Sequence, residues 1–305
     1  MRPARPAAAT AAALVALAVL PGAAAADHHD ANLGWPQALP SMPTPTDVQP
    51  RPVRNCRRVS VRCMDGLLRR LRRQWRRLDA ACDHRALFAL AYIRITKGLR
   101  DDLARRRPRL FRYRRWFIHV IVDFSNRYFQ AFRAHARGRP VPESWRIAYD
   151  EYAHGDTSGG QDVLLASNAH TQRDLPFVYA KMGMRTRAGA SRKHDHDAVN
   201  EVNTRVFDGL EDYYAEHYDE QFRWIDLKPS PLDELGTQEM VKGWREGAWR
   251  NAERLMNAET PEERRQVEQQ IEANATLWAE LIRSGSTPGY REQRDAYCRA
   301  QKRAG

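Results

Sequence analysis

MDGLLRRLRRQWRRL, from Met64 to Leu78, is the stretch that decides the fold class. Its apolar residues recur at intervals of three and four, which is the period of one face of an α-helix. Arginines fill the opposite side, so the stretch predicts an amphipathic helix with one face in a core. The apolar positions are Met64, Leu67, Leu68, Leu71, Trp75 and Leu78.

The same period continues through most of the chain, and no strand or hairpin pattern interrupts it. Local signals mark where helices begin. Asp83, Asp195 and Asp197 are expected as N-caps, and Pro108 as a first-turn residue. Thr260-Pro261-Glu262-Glu263 is a capping box with proline at the first helical position. We therefore predict an all-α fold, a single bundle-like domain of many helices.

The ends of the chain indicate how the protein is organised. Residues 1–26 carry arginines, then an apolar run too short to span a bilayer, then small residues, as a cleavable signal peptide does. Residues 27–53 are proline-rich and predict a linker. Residues 54–305 form the helical domain. The expected location is therefore extracellular, with no transmembrane segment.

Four cysteines fit an exported chain with two disulfides. Three pairings are possible, and we favour Cys56–Cys63 and Cys82–Cys298. The first pairing is local, and the second would tie the last helix to the body.

Arginine dominates a formal net charge of +12 and clusters early in the chain. One interpretation is an ordinary solvated helix face, and the other is contact with an anionic surface. Anionic lipid or a wall polymer is the expected partner, and nucleic acid is less favoured. The sequence indicates no oligomeric state. The residues concerned are Arg69, Arg70, Arg72, Arg73, Arg76 and Arg77.

SNAHTQRDLP, from Ser167 to Pro176, places His170 and Asp174 four residues apart, on one face of a helix. Imidazole and carboxylate at this spacing can bind one metal ion. The alternative is structural: Asp174 caps the segment that Pro176 begins, while Asn168 and His170 bond to neighbouring backbone.

Other helices carry similar polar groups. The expected metal ligands are His170, Asp174, His196, Asp197 and Asp123, with a divalent ion, zinc by preference, as the cofactor and no other expected. The expected supporting residues are Asn168, Asn200, Asn203, His119 and His194. His119 lies between apolar residues, where a packing role competes. The aspartates near His196 could equally serve the helix dipole.

The blocks LLASNAHTQRDLPFVYAKMGM, SRKHDHDAVNEVNTRVFDGL and GWREGAWRNAERL resemble an uncharacterised bacterial family, a domain of unknown function. The resemblance covers roughly Cys82 to Leu255. The shared features are an N-A-H-x-x-x-D-L-P core and an H-D-x-V-N segment. His170, Asp174 and Pro176 are also distantly similar to helical zinc-dependent phospholipases C and single-strand nucleases. This chain lacks their Gln-Pro after the aspartate and their N-terminal tryptophan ligand.

Several enzyme classes lack support. The chain has no G-x-S-x-G elbow, no H-E-x-x-H, no phosphate-binding loop and no dinucleotide fingerprint. Two functions remain. The first is a secreted metal-dependent hydrolase of a phosphoester or lipid-like substrate. The second is a non-catalytic extracellular protein that binds an anionic surface and uses its His/Asp/Asn groups as a structural polar network.

Overall fold

The structure, a computed structural model, describes residues 41–46, 53–105, 109–207, 209–222 and 233–304. The predicted signal peptide and most of the predicted linker lie outside these residues. The described part is helical, with one isolated bridge between Arg185 and Ser191 and no strand. The helices are α1 Val61–Ala80, α2 Arg85–Ala104, α3 Arg114–His135, α4 Glu143–His154, α5 Gly159–Asn168, α6 Leu175–Met182, α7 Lys193–Phe207, α8 Leu210–His217, α9 Asp233–Asn257, α10 Pro261–Arg283 and α11 Tyr290–Ala304.

The prediction of an all-α domain is confirmed. Helices α1 and α2 pack along each other, and α1 also packs on α3. Helix α6 lies against α3 and α9, while α10 lies against α4 and α5. Between α5 and α6 the chain forms one π-helical segment, Ala169–Asp174, which contacts α3, α4, α9 and α10. The segment that the sequence singled out therefore lies at the centre of the bundle.

The stripe of α1 packs as its period predicts. Met64, Leu67, Leu68, Leu71 and Leu78 are buried, and Trp75 packs against the core with its indole N–H donating to Tyr218 Oη at 3.1 Å. A smaller apolar cluster joins the end of α1 and the start of α2 to α8 and α11.

The predicted starts of α2, α3 and α7 differ from the structure. The residue before α2 is His84, one position after the expected Asp83. Helix α3 begins at Arg114 and not at Pro108, which lies outside the described residues. Asp195 does not cap its own helix, because α7 already begins at Lys193. Its buried carboxylate instead accepts hydrogen bonds from the backbone N–H groups of Arg112, at 2.8 Å, and Tyr113, at 2.7 Å. Asp195 therefore fixes the backbone immediately before α3, although it lies more than eighty residues later in the chain.

Both favoured disulfides are present, Cys56–Cys63 and Cys82–Cys298, and no described cysteine is free. The second bond joins α11 to the turn between α1 and α2. The capping box at Thr260 also forms as predicted, with Thr260 Oγ1 accepting from the Glu263 N–H at 3.1 Å. None of the helices within the described ranges has an apolar stretch of the length that crossing a bilayer requires.

Candidate functional site

The π-helical segment is held in place by amide side chains. Pro176 has no backbone N–H, so the helical ladder lacks one donor just beyond the segment. Asn168 Nδ2 donates to the carbonyl oxygen of Ala275 at 2.7 Å, and Gln172 Nε2 donates to Asn168 Oδ1 at 2.7 Å. Asn274 of α10 completes the chain by donating to Gln172 Oε1 at 2.7 Å. The widened turn is thus fixed to α10, with Asn168 as a structural partner of the backbone.

His170 and Asp174 pair on this segment. His170 Nδ1 lies 3.3 Å from Asp174 Oδ2, and the same oxygen accepts the indole N–H of Trp145 at 3.0 Å. Arg173 NH1 donates to Asp174 Oδ1 at 2.9 Å, and Arg173 Nε reaches Glu272 at 2.6 Å. Every oxygen of the Asp174 carboxylate therefore has a protein donor.

Aromatic rings enclose His170, which is 3% exposed. Its ring stacks on Phe124, with centroids 3.5 Å apart and planes 2° apart, and Tyr92 and Trp145 contact it from other sides. Burial lowers the pKa of His170, and the hydrogen bond to Asp174 offsets only part of this effect. The neutral ring then donates from Nδ1, which leaves the buried Nε2 atom without a partner.

The pKa of Asp174 is lowered as well. Burial would raise it, but hydrogen bonding from His170 and the positive charges of Arg173 and Arg127 outweigh burial. The pair is thus a neutral imidazole beside a carboxylate anion, closed off from solvent. The contacts differ from those of the structural alternative, because the Asp174 side chain makes no capping bond to α6, and Asn168 and His170 bond to Ala275 and Asp174 instead of neighbouring backbone. The polar groups nevertheless form one network that fixes a turn inside the core.

The five expected metal ligands do not form one group. Asp123 forms an ion pair with Lys181, with Nζ 2.5 Å from Oδ1. Among the described residues, three potential ligand atoms within 4.8 Å of one another occur at His196, Asp197 and Glu246, and this group includes neither His170 nor Asp174. His196 lies among α6, α7 and α9, and the aromatic residues that contact it differ from those that enclose His170. Glu246 was not predicted, since nothing in its local sequence shows that α9 meets α7.

A lysine lies between the carboxylates of this group. Lys193 Nζ is 2.6 Å from Asp197 Oδ1 and 2.7 Å from Glu246 Oε2. Arg250 NH2 lies 2.6 Å from the other Glu246 oxygen, Oε1. His196 Nδ1 hydrogen-bonds Tyr179 Oη at 2.8 Å. Burial, and then the charges of the nearby cations, lower the pKa of His196 well below its usual value, so the ring is neutral.

The residues expected in supporting roles divide between the two regions. Asn200 Oδ1 accepts from Arg245 Nε at 2.7 Å, and Arg245 NH2 donates to the backbone oxygen of His196 at 2.5 Å. Asn200 therefore supports His196 through one arginine. His194 Nδ1 contacts Asp195 at 3.3 Å, and His119 Nε2 bonds the carbonyl oxygen of Cys56 at 3.1 Å. The buried Oδ1 of Asn203 has no partner among the described residues.

A buried ionic network elsewhere was not predicted. His84 Nδ1 lies 2.7 Å from Asp162 Oδ2, which also accepts from Arg294 NH1 at 3.0 Å, and Thr157 Oγ1 donates to Asp162 Oδ1 at 2.6 Å. Arg294 is fully buried and also bonds the carbonyl oxygen of Tyr152 at 3.1 Å. The network joins α5 and α11 to the start of α2. Its members are too far apart in sequence for spacing to predict it.

The outer face of α1 is strongly basic. Arg69, Arg72, Arg73, Arg76 and Arg77 are exposed, and at roughly 100° per residue they fall within an arc of about 140°. Among the residues that the structure describes, no carboxylate pairs with any of the five. Helices α4 and α10 differ, since their exposed arginines do pair: Arg146 contacts Glu143 and Asp150, Arg265 contacts Glu262, and Arg283 contacts Glu280.

Arg70, the sixth expected arginine, does not share this face. It is half-buried, and its guanidinium lies over the Phe129 ring, 4.1 Å from the centroid. Burial lowers the pKa of Arg70, and the charges of Arg133, Arg54 and Arg73 lower it further. Positive charge thus continues from α1 to α3 without neutralisation at this point. We call the five exposed residues the arginine face.

A family model described as "Family of unknown function (DUF5995)" matches residues 64–285. This match covers most of the chain, so the chain belongs to that family, as the sequence resemblance predicted. No curated protein and no solved structure matches it. The distant similarity to zinc-dependent phospholipases and nucleases has no support from these comparisons.

Proposed function

We propose, for this member of a family whose description assigns no activity, that the protein binds an anionic surface outside the cell through the arginine face. The observation that carries the proposal is the contrast between α1, where five exposed arginines have no carboxylate partner among the described residues, and helices such as α4 and α10, where exposed arginines pair. An unpaired cationic row keeps its charge available for an external anion.

The expected partners are anionic lipid headgroups or a wall polymer. Met64, Leu67, Leu68, Leu71 and Leu78 of α1 are buried, and Val61 and Trp75 pack against the core, so this helix has no apolar face left to insert into a bilayer. Contact would therefore be made through charge and hydrogen bonds, for which arginine suits phosphate because its planar fork can form two parallel bonds. An extracellular location is consistent with the two disulfides and the predicted signal peptide.

Binding of the full chain to phosphatidylglycerol vesicles, and separately to soluble polyphosphate, tests the proposal. The variant replaces Arg69, Arg72, Arg73, Arg76 and Arg77 by Gln. One basic residue near an anionic membrane contributes about 1 kcal/mol, so the variant should bind at least tenfold more weakly. Binding by the wild-type chain should also weaken steeply with salt.

The matched control removes the same charge elsewhere, with Gln at Lys97, Arg146, Arg264, Arg265 and Arg283, all of which are exposed and ion-paired. Its binding should stay close to that of the wild-type chain. Equal losses in both variants would mean that net charge, and not this face, attracts the anion, and the proposal would be wrong. Binding to vesicles alone or to polyphosphate alone identifies which source of phosphate is recognised.

Metal-dependent hydrolysis is the second candidate function, and the group at His196 is the observation that favours it. It requires a bound metal ion.

A further inference from the structure

We propose that His196, Asp197 and Glu246 form a binding site for a divalent transition metal ion, with Lys193 as an internal cation that the ion must displace. This inference does not depend on the arginine face. Its ligands come from the first turns of α7 and from the middle of α9, two helices that the fold brings together beside Tyr179 and Trp249.

The three residues offer the donor set that such an ion prefers. Their ligand atoms lie within 4.8 Å of one another, and His196 Nε2 is 4.0 Å from Asp197 Oδ1. Ligands of a tetrahedral zinc ion, at bonds of about 2.1 Å, lie about 3.4 Å apart. Each pair of ligand atoms therefore has to approach by at most about 1.4 Å. Asp197 has the most freedom to move, because its side chain is 47% exposed.

The surroundings of His196 fit a ligand role. Its Nδ1 atom bonds Tyr179 Oη, and a metal-binding histidine commonly uses one ring nitrogen for such an oxygen partner while the other holds the ion. Arg245 holds the backbone oxygen of the same residue, and Asn200 holds Arg245. Tyr179 and Trp249 pack against the ring, with ring centroids 5.4 Å and 5.1 Å from that of His196. The imidazole therefore has one defined orientation.

Lys193 already shows that a cation is stable here. Its ammonium lies between the two carboxylates, at 2.6 Å from Asp197 and 2.7 Å from Glu246, where an ion would bind. The lysine is the first residue of α7, and its long side chain can swing toward solvent. Glu246 is only 4% exposed and keeps Arg250 on its second oxygen, so its Oε2 atom stays aimed at the vacated position. Three protein ligands would leave a fourth position for water or substrate.

The test is zinc binding to the full chain, measured by calorimetry with Zn²⁺ alone and by elemental analysis after dialysis. Every protein in the series carries Gln at His28 and His29, so that this histidine pair cannot supply ligands. The parent should bind one Zn²⁺ per chain. His196→Gln and Glu246→Gln should each weaken binding at least tenfold, whereas Lys193→Met, which removes the competing cation, should strengthen it at least tenfold.

His154→Gln is the matched control, because His154 is exposed and lies far from α7 in sequence. It should bind as the parent does. The proposal is overturned if Lys193→Met binds no more tightly than the parent, or if His196→Gln retains full binding. The gain in Lys193→Met keeps the test decisive even where a loss in another variant reflects misfolding, which circular dichroism would reveal. Loss of anion binding by the arginine-face variant would leave these results unchanged.

Discussion

At His170, the local sequence and the tertiary structure contribute different parts of the site. The spacing to Asp174 predicted that the two side chains share a face, and they do pair at 3.3 Å. The enclosure comes from elsewhere in the chain: Phe124 lies on α3, and Trp145 on α4. Spacing shows which neighbours a side chain can reach on its own helix, but it does not show whether other helices leave room for an ion. The pair was therefore predictable and its burial was not.

Burial of His170 has a consequence for the pH dependence of stability. Its pKa in the folded protein is below that of a free histidine, about 6.5. Below that pH the unfolded chain binds a proton that the folded chain does not, so the free energy of unfolding falls as the pH falls. In His170→Gln, which removes this group, the loss of stability between pH 7.5 and pH 5.5 should be smaller than in the wild-type chain.

Urea unfolding at the two pH values measures this difference. The lowered pKa of Asp174 acts in the same direction but below about pH 4, outside the interval. His154→Gln, at an exposed histidine, should keep the pH dependence of the wild-type chain. An unchanged pH dependence in His170→Gln would show that the buried ring does take up a proton.

For single helices, the sequence predicted correctly those features whose interacting residues lie within a few positions of each other. The stripe of α1 and the capping box of α10 lie within a few residues, and both form as the sequence predicts. The predicted start of α3 was wrong, because the backbone just before this helix is held by Asp195 of α7, more than eighty residues later in the chain. The π-helical segment was also missed. Pro176 indicated an interruption, but the amides that hold the widened turn include Asn274 of α10.

The capping box of α10 should contribute measurably to the stability of the protein. Thr260→Ala removes the oxygen that accepts the Glu263 N–H and leaves that donor to water. Loss of such a cap costs about 1 kcal/mol in free energy of unfolding. Thr260→Ser keeps the oxygen and should lose far less, and Thr287→Ala, at an exposed threonine ahead of α11, is the control. Guanidinium unfolding of the three variants would contradict the prediction if Ala and Ser at position 260 had equal stability.

For the whole molecule, the pattern of charges separates two kinds of surface. Helices α4 and α10 pair their exposed arginines with acids three or four residues away, which their sequences already show. Helix α1 has no such acids near its arginines, and the fold supplies none from the described neighbours. The sequence therefore predicted the arginine face except for Arg70, whose position over Phe129 depends on how α3 crosses α1. The sequence also predicted His196 and Asp197 as ligands, but the addition of Glu246 to them depends on tertiary structure.

Helix α11 is attached to the rest of the protein by a disulfide that closes a long loop. The Cys82–Cys298 disulfide joins residues 216 positions apart, whereas Cys56–Cys63 spans 7. A crosslink stabilises mainly by restricting the unfolded chain, and the restriction grows with the length of the loop. Replacing both cysteines of the long bridge by Ser should cost about 5 kcal/mol in free energy of unfolding, against about 2 kcal/mol for the short bridge.

Guanidinium unfolding of the two double variants measures these costs directly. The folded state of the long-bridge variant should persist, because Arg294 still binds Asp162 at 3.0 Å and Tyr297 Oη still donates to the carbonyl oxygen of Ala215 at 2.8 Å. Limited proteolysis should therefore cut the variant in α11 only when denaturant is added. Equal losses of stability for the two bridges would mean that the noncovalent network around Arg294, and not the disulfide, determines how firmly the last helix is held.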